Sequence, residues 1–207
     1  MQLGFTRIVE LIVAVSVVVI SVASLFVAVF QGRVMQRTLE ASVVPVMQYG
    51  SGNYDLETGA WAIKLEFKNT GLGPAELRWV DIRWNGESIS NTSAFISQCC
   101  LPEGLEEAER LPYLYQAFES GQLNLVFDDV QGRFFAPQES VDFVTFPRPD
   151  EETQPVGYAI WWAVDDARHD LEVEICYCSV FDDCWQSTYP TQSRERVRQC
   201  PDPAAGN

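Results

Sequence analysis

At 207 residues with 47% hydrophobic content, the chain can supply the core of one ordinary domain plus extra segments. Its 29 acidic and 14 basic side chains leave a net charge of -15, which repels nucleic acid and anionic lipid alike and argues against a nucleic-acid role. The charge is uneven: none lies between Leu11 and Phe30, and the acidic excess begins only after Glu40.

That uncharged run, LIVAVSVVVISVASLFVAVF, is 20 residues long. As a helix rising about 1.5 Å per residue it matches the roughly 30 Å hydrocarbon layer of a bilayer. A single-pass transmembrane anchor is therefore expected, since no second run of this kind follows. A cleaved signal peptide is the competing reading, because Arg7 precedes the run and Ser21-Val22-Ala23 has the small-residue pattern of a cleavage site. The run continues apolar for seven residues past Ala23, which favours the anchor. Ala14, Ser21, Ser24 and Ala28 share one helix face, where small side chains let another helix approach closely. The alternative is that Ala and Ser are simply common in such helices. Partners among other membrane protein subunits are expected on this basis.

Arg7 before the run and Arg33 with Arg37 after it nearly balance the positive-inside count. Six cysteines, at 99, 100, 176, 178, 184 and 200, all follow the run, and an even set of this kind suits an oxidising compartment. The expected location is a bacterial inner membrane with the domain on the periplasmic side.

After the run, QGRVMQRTLEA reads as a helical stalk, and Pro45 ends it. Residues 1–42 thus form an anchor and stalk. Residues 43–49 are expected as a strand, 51–59 as a turn, and AWAIKLEFK as a half-buried strand with Trp61, Ile63, Leu65 and Phe67 on one face. NTGLGPAE then leads into LRWVDIRW and the hairpin signal Asn85-Gly86. From Trp61 to Ile89, this order of strand, N-x-G-x-G-x-A turn, strand and NG turn resembles bacterial immunoglobulin-like sandwich modules of the cell-adhesion-related type. The chain as a whole is also similar to membrane-anchored bacterial proteins of unknown function. The resemblance implies a β-sandwich for presentation or adhesion, with no catalytic residues to carry over; the cysteine-rich segments are not part of it.

The expected fold class is mainly β: one transmembrane helix, then an immunoglobulin-like β-sandwich over residues 43–190. A partly helical insertion at 92–136 would lie across one end, with a helix over LEEAERLPYLYQAF broken or kinked at Pro112. SVDFVTF continues the strands, GYAIWWAV and LEVEICYCSV read as an antiparallel pair, and 191–207 as a polar tail. On a strand, one of Trp161 and Trp162 must face outward, so both are partner-contact candidates.

Cys176 and Cys178 share one strand face about 6.5–7 Å apart, too far to bond each other. Cys99 and Cys100 point apart in an extended chain. Three long-range disulfides joining the insertion, last strand and tail are therefore expected, with connectivity open. A four-thiolate zinc set of Cys176, Cys178, Cys184 and Cys200 is the alternative; its spacing C-x-C-x5-C-x15-C is not that of common zinc ribbons. Free or redox-active thiols are a third reading, without a C-x-x-C to support them. His169 in ARHD, and the pairs Asp165-Asp166 and Asp182-Asp183, read as solvated turn residues, and Asn91-Thr92-Ser93 as a chance match to a glycosylation acceptor. No catalytic residue, cofactor or metal is expected, and the preferred function is a non-catalytic, membrane-anchored interaction or accessory subunit. A thiol redox or zinc-binding enzyme or sensor at the membrane is the alternative.

Overall fold

The computed structural model describes residues 2–201, with side chains described from Glu10 onward. It falls into two units, one ending at Ser42 and one beginning at Val43. The first is a single helix, α1 (Gln2–Ser42), so the apolar run and the stalk are continuous. Side chains 10–39 are all exposed, and the helix is long and apolar enough to cross a membrane. A signal sequence would pass the same test. Ser16 and Ser21 donate their hydroxyls to the carbonyls of Ile12 and Val17, each at 2.8 Å. These polar groups are thereby satisfied within the helix, as an apolar solvent would require.

The second unit is built on two antiparallel sheets. One has the order β1 (Met47–Asp55), β2 (Ala60–Asn69), β7 (Ser140–Pro147), β5 (Val126–Phe127). The other runs β10 (Ser193–Val197), β9 (Cys184–Tyr189), β8 (Leu171–Ser179), β3 (Ala75–Trp84), β4 (Glu87–Ser88), with β6 (Phe134–Phe135) also on β3. Period-two patterning explains how they share one core. Ile63, Leu65 and Phe67 of β2, with Phe143 and Phe146 of β7, meet Leu77 of β3 and Val173, Ile175 and Tyr177 of β8. Phe67 and Phe143 stack at 4.7 Å. Trp61, expected on the same face, is instead half-exposed against Tyr54 and the Arg148 guanidinium.

Helices α2 (Thr92–Cys99), α3 (Glu107–Glu119) and α4 (Pro155–Ala167) complete the core through Phe95, Ile96, Leu114, Ile160 and Trp161. About a third of the chain is strand and slightly more is helix, so the composition is mixed rather than mainly β. The largest correction is α4: GYAIWWAV is not a strand paired with β8. Pro155 opens the helix, and Gly157, Ile160, Trp161 and Val164 are buried at helical spacing, a period masked by the unbroken apolar composition. Strand β8 pairs with β3 and β9 instead.

Four further expectations change. α3 runs through Pro112 without a break. Residues 92–136 are not wholly separate from the sheets, because β5 joins β7 and β6 joins β3. The tail begins later than residue 191: Ser193–Val197 pairs with β9 over its full length, and Cys200 is bonded to β8. Residues 202–207 of the expected tail lie outside the described residues. The first strand is also shifted, to Met47–Asp55, with a register irregularity between Gly52 and Tyr54 that lets the glycine-rich segment pair.

Candidate functional site

The densest chemistry lies on β8. Alternation sends Val173, Ile175 and Tyr177 into the core and Cys176 and Cys178 to the opposite face. That face is normally wet, yet Cys176 is fully buried and Cys178 nearly so. The cover is supplied by sulfur: Cys178 is disulfide-bonded to Cys184, its cross-strand neighbour on β9, and Cys176 to Cys200 beyond β10. The two bonds are adjacent, with the Cys178 and Cys200 sulfurs 3.7 Å apart. Beside them, Arg78, Arg198 and Asp182 line a shallow cleft. The turn from β8 to β9 is held by the Ser179 hydroxyl, which accepts from the N–H groups of Phe181 and Asp183 at 3.2 and 3.3 Å.

The expected absence of a Cys176–Cys178 bond holds, but the expectation for Cys99 and Cys100 does not. They are bonded to each other, so only two disulfides join separate segments, and none ties the 92–136 region to the strands. The premise that failed is an extended chain. Cys100 caps the end of α2 with φ -130° and ψ 13°, its N–H donating to Ile96, and the backbone turns there.

Of the tryptophan pair, Trp161 is fully buried and donates its indole N–H to the Phe146 carbonyl at 2.8 Å. Trp162 is 44% exposed and packs edge-on against Trp161 and Tyr158. One ring of the pair is thus available to a partner, although the 100° step of a helix, rather than strand alternation, separates them. Ala14, Ser21, Ser24 and Ala28 are exposed on α1.

His169 is exposed, as expected of a turn residue. Asp165 is not: it pairs at 2.7 Å with Arg168, which is buried, and accepts from Asn53 at 3.0 Å, while Arg168 also donates to Ser51 at 2.8 Å. This cluster fastens the end of α4 to β1. Asp183 pairs with Arg196 of β10. Asn91 caps α2 by accepting from the Ala94 N–H at 2.9 Å.

The residues that sequence reasoning left without a role are Asn69, Gly71 and Gly73 of the N-x-G-x-G turn. Asn69 is fully buried. Its Oδ1 accepts from the N–H groups of Val46 and Gly71 at 3.2 and 3.0 Å. Its Nδ2 donates to the carbonyls of Gly73, Ala136 and Phe135 at 2.8, 3.2 and 3.4 Å. The segment entering β1 passes so close that a Cβ on Gly73 would stand 1.7 Å from the Val43 carbonyl oxygen, and one on Gly71 2.4 Å from the Val46 nitrogen.

Burial pushes the Tyr49 phenol up to about 12, against smaller opposing effects of Ser51 and Arg168. It does the same for Tyr189, whose hydroxyl donates to the Met47 carbonyl at 2.6 Å. Asp55 is held down to about 2, first by the Glu57 N–H and then by Lys64. None of these groups lines the cleft at the sulfurs. No family model, curated protein or solved structure matches the chain.

Proposed function

We propose that this chain is a non-catalytic, single-pass membrane-anchored interaction or accessory subunit, with an immunoglobulin-like domain held outside the cytoplasm by α1. The observation that carries the reading is the pairing of all six cysteines in the unit that follows one apolar helix, because disulfides persist in oxidising compartments. In a bacterium that means an inner-membrane anchor and a periplasmic domain. Two features support a partner. The small-residue face of α1 suits close helix packing within the bilayer, and Trp162 offers an exposed aromatic of the kind enriched at interfaces.

Protein from native membranes, alkylated with and without prior reduction and weighed by mass spectrometry, should gain six labels only after reduction. Six thiols labelled without reductant would overturn the placement. Replacing Ser21 and Ser24 by leucine should shift the mildly solubilised protein from a large assembly to a lone chain. Identical migration of both forms as a monomer would overturn the subunit reading.

A further inference from the structure

We infer that Cys176, Cys178, Cys184 and Cys200 form a closed four-thiolate site for a zinc-like divalent cation when the two disulfides among them are reduced. Zinc–sulfur bonds of about 2.3 Å at tetrahedral angles place ligand sulfurs about 3.8 Å apart. The unbonded sulfurs of Cys178 and Cys200 already stand 3.7 Å apart, and those of Cys178, Cys184 and Cys200 all lie within 4.8 Å of one another. Cys176 supplies the fourth, since its sulfur is bonded to that of Cys200. The two bonded pairs need to separate, and the Cys176 sulfur, which is not among those mutually within 4.8 Å, has to swing toward the others. Cys176 and Cys200 have Cα atoms 5.6 Å apart, so side-chain rotation serves for them. Cys178 and Cys184, at 4.0 Å, require the turn between β8 and β9 to open as well.

The chemistry of the surroundings agrees. Four thiolates around a dication carry two net negative charges, and Arg78 and Arg198 line the same cleft against one carboxylate, Asp182. Cys176, Cys178 and Cys184 are buried, and four protein sulfurs leave no position for water, so the site is structural rather than catalytic. The electron balance is simple. Each disulfide takes two electrons and two protons from an external dithiol, which leaves as its own disulfide. The cation then displaces four protons from the four thiols. Either state fastens the segment after β10 to β8, by the Cys176–Cys200 bond or by one ion. The Cys99–Cys100 pair lies elsewhere, on the α2 end, and serves as an internal control.

The inference does not rest on the membrane reading, and the alkylation test leaves it untouched. The full chain in detergent micelles, reduced with a phosphine and kept anaerobic, is titrated with Co²⁺. The expected result is one equivalent bound per chain, with the intense visible absorption of tetrahedral cobalt and a thiolate-to-cobalt charge-transfer band, both bleached by one equivalent of zinc. Zinc should also restore protease resistance to residues 193–200 of the reduced chain. The double variant Cys99→Ser/Cys100→Ser should titrate like the parent, whereas Cys184→Ser should bind about tenfold or more weakly. A weak octahedral spectrum of the parent chain would overturn the inference without recourse to any variant. So would loss of binding in the Cys99→Ser/Cys100→Ser chain, or unchanged binding in Cys184→Ser.

Discussion

Asn69 shows how one side chain organises a crossing point. It satisfies two backbone donors and three carbonyls where water has no access, and an unpartnered buried polar group costs about 1–3 kcal/mol. Asn69→Ala leaves several at once and should destabilise the chain by about 3 kcal/mol or more, read from the urea midpoint in detergent. Thr70→Ala, which removes one half-buried bond to the Val46 carbonyl, should cost about 1 kcal/mol or less. Gly73→Ala has nowhere to put its methyl, and should lower the midpoint more than Gly52→Ala, where the space is open. The tyrosines make a pH prediction. Tyr49 and Tyr189 titrate at about 12 in the fold and about 10 when unfolded. The unfolded chain therefore loses these protons first; the stability they contribute is fully present below about pH 10 and is lost as pH rises through about 12. Denaturation midpoints taken across that window should fall, and Tyr49→Phe/Tyr189→Phe should flatten the fall. Because the Tyr49 hydroxyl is buried without a hydrogen-bond partner, Tyr49→Phe alone should leave stability at neutral pH unchanged or higher.

Among the elements, the disulfides separate by the length of chain they close. The Cys176–Cys200 bond spans 24 residues and the Cys178–Cys184 bond six. Loop-closure entropy then assigns about 3 and about 2 kcal/mol to them. Cys99–Cys100 closes almost no chain. Paired serine substitutions should lower the denaturation midpoint in that order, with the Cys99→Ser/Cys100→Ser chain nearest the parent. Removing the longer bond should also free β10, seen as faster amide exchange over Ser193–Val197. The elements that were legible in the sequence are those with a clean period or a specific turn: α1, β2, β7, and the Asn85-Gly86 hairpin, where both residues adopt positive φ. The shared face of Cys176 and Cys178 was legible for the same reason. α4 was not, because eight nearly consecutive apolar residues fit a buried strand as well as a helix and only Pro155 marks the start. β10 was hidden by its polarity, since SRERV is held by pairing with β9 and by the nearby sulfur bridge rather than by burial. The Cys99–Cys100 bond depended on a backbone turn at a helix end, which residue types alone do not specify. Asn69 was quoted as part of a turn pattern, but its role as a hub came from residues 66 and 67 positions away in the chain.

At the scale of the whole molecule, the net charge of -15 sets how copies meet. Self-repulsion keeps the domain dispersed at neutral pH and weakens as carboxylates are protonated or salt is added. Light scattering of the oxidised chain in neutral detergent should show self-association on acidification toward the carboxylate range, and not on raising the pH to 9. The margins of the two sheets reinforce this separation. β4 and β5 are two residues each, β10 carries three charges in five residues, and the register of β1 is broken between Gly52 and Tyr54. Among the described residues, none of these four strands offers a long, straight, apolar row of free N–H and C=O groups, the feature through which sheets fuse into fibres. The outcome is resistance to amyloid-like stacking when copies collide. Exposed side chains such as Trp162 can then be exchanged one at a time without disturbing the backbone pairing of the sheets.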